Sequence, residues 1–560
     1  MSETGNAAPR TASRIRALMS LWPLWLALIM TAWVQRRSLA AFFSSPDDLR
    51  HLQQAVGLRA TQLSPFRYLS QVLYMRAMVF VVGMNPFPYH LATWGCHLVN
   101  VALLYLLLRR WRVPAHLAGV AATLFGAMPL SVTLLSSAIG MNDELALAFT
   151  LSSLLLFERR SRGAMVGSAI CFVLAVLCKE GVLFLPIVLL VARPPSTSVR
   201  DQLRRLTPLA LIAAAAATVF LVLRSRGIGT DTSIYAMRLG SNLFHNHMTF
   251  MAWATDVVHV MPDLISSYNL RAWPWSSGVL AVIGLAWILS PGRRSAIGLG
   301  LAWWVLGLLP VLPLRFQTYR HYFYAALPGL ALAVAATVEG LLDRLLSAGR
   351  VHRDAAVAGA TRAARVILVV LSLVYAARAN ALIDRRLRAG VAGADLALDP
   401  VLRRQVVAER ALMSIGRVVD ANTRRIAILS LGTERLFGVR SGQQVPGAVA
   451  GQHTYDLLGE SIDHGGAVRL FFPQVDSVAF LTRWEVAYRD FDLFLAYQSG
   501  DLLGVGQGPR AHERAAAWMM EQRWPEAARD HLERAVEAYP DDRALRLAYA
   551  RAIAACGGQP

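Results

Sequence analysis

Long apolar runs separated by short, arginine-rich loops constrain this chain more than any other feature. About eleven runs approach the roughly 20 residues that an α-helix needs to cross a hydrocarbon core. Hydrophobic residues make up 55% of the 560 residues. A backbone inside lipid must satisfy its own hydrogen bonds, and a helix does so. The sequence therefore predicts a mainly α fold, a polytopic transmembrane helical bundle.

The predicted spans follow a polar, basic leader at 1–17. The first apolar run ends in Gln35-Arg36-Arg37 without a small-residue cleavage site, so it is interpreted as a retained span rather than a cleaved signal peptide. The transmembrane domain is predicted over 18–378, with its first external loop at 36–87. Its spans are predicted at 18–34, 89–108, 115–136, 145–157, 164–177, 182–191, 206–223, 278–289, 298–312, 322–342 and 365–377.

Arginine placement predicts the orientation of these spans. With a cytoplasmic N-terminus, the basic clusters fall in cytoplasmic loops and the odd count places the C-terminal tail outside. The segment 247–264 is apolar but carries Asp256 and Asp263, and a crossing there would move later arginines to the wrong side. It is therefore predicted to be interfacial or re-entrant. The clusters are 109–112, 159–160, 193–205, 293–294 and 344–353.

Charge and cysteine content argue against nucleic-acid partners and cysteine-bound metals. The net charge of +20 is spread through loops between apolar runs, where it orients a membrane protein, so nucleic-acid binding is rejected. The four cysteines have no metal-ligand spacing. The preference for arginine over lysine favours a bacterium of high genomic GC content, hence an inner-membrane location.

Lys179 is the one lysine among 56 basic residues, and it lies beside Glu180 in an apolar stretch. An ammonium is a compact charge suited to a phosphate oxygen, whereas arginine offers a planar fork. An ionisable pair at membrane depth predicts a functional site. The alternative is a helix end at which both side chains reach interfacial water.

Further ionisable residues fall on the predicted external face. They include the acidic pair Asp47 and Asp48 in the first external loop and an amphipathic stretch at 68–82 that is suited to the membrane surface. The other candidates are Arg67, His90, His97, Asp143, Glu144, Lys179, Glu180, Arg320 and Tyr322. Such a convergence suits a reaction between a lipid-borne substrate and an extracytoplasmic acceptor.

At these residues the chain resembles the GT-C superfamily of polyprenyl-phosphate-sugar-dependent glycosyltransferases. The order of its motifs is similar to that of the branch that joins a protein O-mannosyltransferase-like membrane domain to C-terminal tetratricopeptide repeats. The chain departs from that branch where Met141 and Asn142 follow Gly140 in place of Gly-Arg. The motifs are Asp47-Asp48, Gly83 to Pro86, Tyr89-His90, His97, Met128 to Leu130, Gly140 to Glu144, Cys178 to Glu180 and Arg320 to Tyr324.

The resemblance implies a transferase that deprotonates an acceptor hydroxyl and neutralises a departing phosphate. Asp47 is then the expected general base, with Asp48 second. Lys179, Arg320 and Arg67 are expected to bind the donor phosphate, and undecaprenyl phosphate is the expected carrier. The expected substrate-binding residues are His90, His97, Asp143, Glu144, Glu180 and Tyr322.

Each of these residues also has a structural interpretation. Adjacent acidic residues often cap a turn or helix, cations snorkel to the interface, and membrane histidines bond neighbouring helices. The resemblance implies no metal and no cofactor. A divalent cation held by Asp47, Asp48, Asp143 and Glu144 stays open as an alternative.

The tail has a different composition, with fewer apolar runs and more charge. Strands predicted at 425–431, 468–472 and 477–481 indicate an extracytoplasmic mixed α/β region over 379–508. Residues 509–560 match about one and a half tetratricopeptide units and predict a helical hairpin. That hairpin is expected either to guide an acceptor protein or glycan, or to have no ligand.

Two other functions compete with this prediction. An O-antigen ligase or polymerase also joins lipid-linked glycans outside the cytoplasm, but typically relies on a large Arg- and His-rich loop, whereas this chain has an acidic pair. A transporter or envelope-assembly scaffold would use Lys179 and Glu180 as an ion site. Counter-ion pairing of Lys179 inside the bundle, with Asp47 remote from it, would favour that alternative.

Overall fold

The computed structural model describes most of the chain. The leader predicted at 1–17 and much of the segment predicted to be re-entrant lie outside the described residues. The described residues are 20–44, 46–61, 65–194, 196–225, 236–256, 272–314, 319–347, 354–388, 390–391, 394–397, 400–430, 454–482, 491–498, 501–506, 508–521 and 523–557.

The fold is mainly helical and has two compact units. The first unit takes in 1–40, 62–74 and 87–385. Its helices are α1 (Trp22–Gln35), α4 (Pro86–Arg110), α5 (Ala115–Gly126), α6 (Ser131–Leu135), α7 (Met141–Phe157), α8 (Arg162–Cys178), α9 (Val188–Val191), α10 (Val199–Ser225), α11 (Ser241–Thr255), α12 (Ala272–Leu289), α13 (Arg294–Leu308), α14 (Leu327–Ser347) and most of α15 (Asp354–Arg388). Helices α2 (Asp47–Ala55) and α3 (Tyr74–Val82) belong mainly to the second unit.

Among the residues that the structure describes, four helices are long and apolar enough to span a membrane, at Pro86–Arg110, Ala138–Phe157, Val199–Leu223 and Ala358–Arg385. A fifth span is possible if the bent pair Trp273–Leu289 and Pro291–Leu308, which meet at 111°, counts as one crossing. Other predicted spans contain shorter apolar helices. The apolar helices identify a membrane protein, while the count of eleven spans stays a prediction.

Small residues allow α13 and α14 to pack closely. A Cβ added to Gly329 would lie 2.5 Å from Trp303 Cβ and 2.6 Å from the Gly300 carbonyl oxygen. On α13, a Cβ at Gly307 would lie 2.7 Å from Ala326 Cα. Backbones that approach this closely gain dispersion contacts, which drive helix association where lipid is as apolar as the side chains.

A buried ionic group ties α5 to α14. The Glu339 side chain is fully buried, and its Oε1 lies 2.7 Å from both His116 Nε2 and Arg293 Nη2. Arg293 Nη2 also lies 3.1 Å from Asp343 Oδ2. His116 and Arg293 lie beside loops that the orientation prediction assigns to the cytoplasm, so that prediction places the group on the opposite face from the candidate residues.

The second unit takes in 41–61, 75–86 and 386–560. It contains α2 (Asp47–Ala55) and most of α3 (Tyr74–Val82). Its later helices are α16 (Pro400–Gly416), α17 (Thr454–Ser461), α18 (Gly466–Phe471), α19 (Gly508–Glu521), α20 (Pro525–Ala538) and α21 (Arg543–Ala555). Its strands are β1 (Gly390–Val391), β2 (Ala394–Ala397), β3 (Arg425–Ser430), β4 (Ser477–Thr482), β5 (Leu493–Gln498) and β6 (Asp501–Gly506).

Four of these strands form a mixed sheet in the order β4-β3-β5-β6. Strand β3 is parallel to β4 and to β5, whereas β6 is antiparallel to β5. Ile426, Ala427 and Ile428 on β3 are fully buried, as expected for a central strand covered on both faces. The strands predicted at 425–431 and 477–481 are confirmed. The strand predicted at 468–472 is wrong, because Gly466–Phe471 forms helix α18.

The C-terminal helices pack sequentially, α19 on α20 and α20 on α21. Pro525 at the first position of α20 and Asp542, whose side chain accepts from Leu545 N at 3.0 Å, set the starts of α20 and α21. The tail thus contains three consecutive helices in contact. The tetratricopeptide-like hairpin over 509–560 stays a prediction.

Candidate functional site

Lys179 lies where α8 ends. Its extended backbone, with φ −163° and ψ 134°, breaks the helix between Cys178 and a 3-10 turn at Glu180–Val182. Its Nζ donates to both carboxylate oxygens of Asp143, at 2.6 and 2.7 Å. The Lys179 and Asp143 side chains are 13% and 9% exposed, so water screens this pair only weakly.

The neighbouring Glu180 is held by Arg67 in a two-point contact. Arg67 Nη2 lies 2.5 Å from Glu180 Oε1, and Arg67 Nε lies 3.2 Å from Oε2. Parallel bonds of this kind use the planar fork that distinguishes arginine from lysine. Arginine at position 67 therefore suits a two-point contact with one carboxylate, whereas lysine at position 179 places a single ammonium against another.

The backbone around Arg67 is unusual. Arg67 has φ +68°, in the left-handed region that non-glycine residues rarely occupy, and a π-helical turn at Tyr68–Leu73 follows it. Ser70 in that turn donates to the Cys178 carbonyl at 3.0 Å, which ties the turn to the end of α8. Left-handed arginine and π-helical turns both occur at functional sites, where surrounding contacts hold a costly conformation.

These four residues form one group, here named the ionic cluster: Arg67, Asp143, Lys179 and Glu180. Lys179 and Glu180 are consecutive, so the two ion pairs are neighbours. Two cations and two carboxylates give the cluster a net charge of zero. The Tyr322 ring centroid lies 5.8 Å from Lys179 Nζ, which adds an aromatic wall on one side.

A second, fully buried group begins one residue after Asp143. Glu144 Oε2 accepts from Tyr324 Oη at 2.6 Å and from Asn100 Nδ2 at 2.7 Å. Glu144 Oε1 lies 3.2 Å from His97 Nδ1. We name Glu144, Tyr324, Asn100 and His97 the buried tetrad.

Both ring nitrogens of His97 have partners in or beside the tetrad. His97 Nε2 lies 3.1 Å from the Gly126 carbonyl, which can only accept, so Nε2 carries a hydrogen. His97 Nδ1 lies 2.8 Å from Tyr324 Oη, whose hydrogen is directed to Glu144. His97 therefore connects the backbone at the end of α5 to the Tyr324 hydroxyl, which in turn bonds Glu144.

The acidic pair of the first external loop lies in the second unit. Asp47 and Asp48 open helix α2, where carboxylates favour the positive end of the helix dipole. Asp48 is buried and its Oδ2 accepts from Ser44 N at 2.7 Å, while Asp48 N donates to the Ser44 carbonyl at 3.1 Å. This reciprocal bonding is a capping role for Asp48. Asp47 is exposed.

The remaining predicted residues are distributed as follows. His90 lies on α4 and is fully buried. Arg320 begins the 3-10 turn Arg320–Phe323, and its side chain lies outside the described residues. The structure therefore brings seven predicted residues of the first unit into two adjacent groups: Arg67, Asp143, Lys179, Glu180 and Tyr322 around the ionic cluster, and His97 and Glu144 in the buried tetrad.

Sequence reasoning missed Asn100 and Tyr324. Asn100 follows His97 by three residues, so both share one face of α4, and this spacing was a readable signal. Tyr324 resembles an interfacial aromatic in sequence, and only the fold shows that it points at Glu144. Within the described part of the chain, no three His, Cys, Asp or Glu side chains converge in a way that could hold a metal ion.

Comparisons with known proteins give little beyond this geometry. No family model matches the chain, and no curated protein matches it. Among solved structures, it is similar to ArnT from Cupriavidus metallidurans bound to undecaprenyl phosphate. The match has 13% sequence identity and a TM-score of 0.40, and covers 88% of this chain and 93% of that chain. A likeness this weak has no bearing on the site or the activity.

Proposed function

We propose that this chain is an integral membrane glycosyltransferase. It would transfer a sugar from a polyprenyl-phosphate-linked donor to an acceptor hydroxyl, on a protein or a glycan, outside the cytoplasm. The proposal rests on the ionic cluster. In it, the chain's one lysine and Arg67 lie close together at the ends of apolar segments, each paired with a carboxylate. It also draws on the resemblance to polyprenyl-phosphate-sugar-dependent enzymes described above.

The cluster suits a lipid-linked phosphate for an electrostatic reason. A sugar joined through phosphate to polyprenol is a phosphodiester with one negative charge, and the departing polyprenyl phosphate gains charge as the bond to the sugar breaks. Cations that are already fixed by carboxylates need little reorganisation to stabilise that developing charge. Asp143 and Glu180 would orient Lys179 and Arg67, and the phosphate would share those cations.

The acceptor side of the reaction needs a base. The acceptor oxygen forms a bond to the sugar's anomeric carbon, its proton moves to a carboxylate, and the bond from that carbon to the phosphate oxygen breaks. Asp47 is our choice for that base. Asp48 is second, because it is buried and occupied in capping α2.

Lys179 provides the first test of donor binding. Lys179→Met removes the ammonium, and we expect binding of undecaprenyl phosphate in detergent to weaken about tenfold or more, as loss of a charge-assisted bond implies. Arg37→Met is the matched control, because Arg37 pairs with Asp384 at 2.6 Å in the same unit. Equal affinity in the native chain and both variants would remove Lys179 from the donor site.

One observation favours a second candidate. Lys179 is paired with Asp143 inside the helical bundle, as a transporter or assembly scaffold with a buried ion site would require. Such a protein would move a solute across proteoliposomes or assemble partners without transferring sugar. Transport that depends on Lys179, in the absence of any sugar transfer, would favour this candidate.

A further inference from the structure

The helix that carries the acidic pair is fastened to a distant part of the chain. Asp463, about 400 residues later, accepts from Arg50 Nε at 3.0 Å and from Gln53 Nε2 at 3.0 Å, both on α2. Arg59, just past the end of α2, adds a contact at 3.4 Å. The Asp463 side chain is only 6% exposed, so these donors satisfy a buried carboxylate.

The backbone at this anchor is strained. Asp463, His464 and Gly465 have φ values of +46°, +51° and +93°, three consecutive left-handed residues. A Cβ at Gly465 would lie 2.7 Å from Val478 Cβ on β4, so the turn sits tightly against the sheet. Strain of this kind persists only where surrounding contacts hold the chain in place, and it is concentrated at functional sites.

Aromatic contacts fasten the residues that lead into α2. Phe42 and Phe43 lie just before the helix, with ring centroids 5.8 and 6.4 Å from that of Phe471 on α18. At the start of α18, a Cβ on Gly466 would lie 2.7 Å from the Gln53 amide nitrogen. The helix α2 is therefore held before its start, along its length and after its end by residues 463–471.

We propose that Asp463 is a positioning residue for the acidic pair, in that it fixes α2 and thereby the location of Asp47. The inference rests on the proposed transferase function. A polar helix of nine residues is too short to be stable alone in water. The contacts around Asp463 add to the burial of Leu49 and Leu52 in holding it in place, and a general base needs placement within about 0.5 Å.

The test is Asp463→Asn in the full chain. Asparagine tolerates left-handed φ, so this change removes charge while keeping the turn. We expect hydrogen exchange of the amides in 47–55 to accelerate about tenfold or more. We also expect kcat for sugar transfer to fall about tenfold or more, while the affinity for undecaprenyl phosphate stays within about twofold of the native value.

Two further variants support this test. Arg50→Met removes one donor from a side chain that is 41% exposed, so the fold should survive, and we expect smaller changes of about threefold in the same direction. Arg404→Met is the control, because Arg404 pairs with Glu460 at 2.6 Å in the same unit without contacting α2. The control should leave both exchange and kcat at native values.

The outcomes separate this inference from the proposed function. Native exchange in 47–55 together with native kcat in Asp463→Asn would overturn the positioning role. Faster exchange with unchanged kcat would overturn it as well, because α2 would then be fastened without consequence for transfer. If the native chain transfers no sugar from any donor, the proposed function fails and the positioning role fails with it, whatever the exchange result.

Discussion

Removing either Lys179 or Asp143 should lower the free energy of unfolding substantially, because each charge stabilises the other in the folded protein. Two contacts of 2.6 and 2.7 Å join side chains that are 13% and 9% exposed. At an effective dielectric constant of about 20, charges about 2.7 Å apart attract by roughly 6 kcal/mol before desolvation is counted. Desolvation cancels part of this attraction, so removal of one partner should cost about 3 kcal/mol.

A double-mutant cycle isolates this energy. Lys179→Met leaves the Asp143 carboxylate buried without its cation, and Asp143→Asn leaves the ammonium without its anion. The double variant contains neither charge, so we expect it to lose only about 1 to 2 kcal/mol. With about 3 kcal/mol lost in each single variant, the coupling energy should then be about 4 to 5 kcal/mol.

The assay is reversible unfolding of purified protein in mild detergent, read as differences in unfolding free energy. Arg37→Met is the control, since its partner Asp384 is 28% exposed and such pairs contribute about 1 kcal/mol or less. Losses that add within about 0.5 kcal/mol would refute the coupling. The double variant also separates the structural role of Lys179 from its role in donor binding. It should be more stable than either single variant, while its affinity for the donor stays weak.

Three further predictions concern packing, the buried tetrad and the tail. Gly329→Leu should destabilise the protein by about 1 to 3 kcal/mol in thermal unfolding, because its Cβ would meet the Gly300 carbonyl; unchanged stability would contradict the close packing. Tyr324→Phe removes the 2.6 Å bond to Glu144 and should cost about 1 to 3 kcal/mol in the same assay, and a neutral result would contradict the described bond. Burial lowers the pKa of His531 to about 3, below its unfolded value of about 6.5, so the tail should lose about 2 kcal/mol at pH 5 relative to pH 7; equal protection factors for amide exchange in α20 at both pH values would contradict this.

The sequence predicted helical character well, because membrane helices must satisfy their own backbone bonds and so leave long apolar runs. It also identified Lys179, since a lone lysine among arginines is visible in composition. Residues 468–472 were predicted as a strand because four apolar residues, interrupted only by Arg469, fit a strand and a buried helix equally well. The fold resolves that ambiguity.

The partners of the site residues were beyond the sequence. The pairing of Lys179 with Asp143 and of Arg67 with Glu180 depends on how α7, α8 and the π-helical turn pack, and no local pattern encodes it. The contact between Asp463 and Arg50 could not be predicted from a local pattern either, because about 400 residues separate them. Asp463, His464 and Gly465 are residue types that tolerate a left-handed backbone, but no local pattern shows that their turn lies against α2.

The central claim is sugar transfer from a lipid-linked donor, and the most direct test is transfer of radiolabelled sugar from a panel of synthetic polyprenyl-phosphate sugars in detergent. The comparison is between the native chain, Asp47→Asn and Asp48→Asn at equal folded yield. We expect transfer, or slow donor hydrolysis, by the native chain, and a fall of about two or more orders of magnitude in Asp47→Asn. No transfer from any donor by folded native protein would contradict the account.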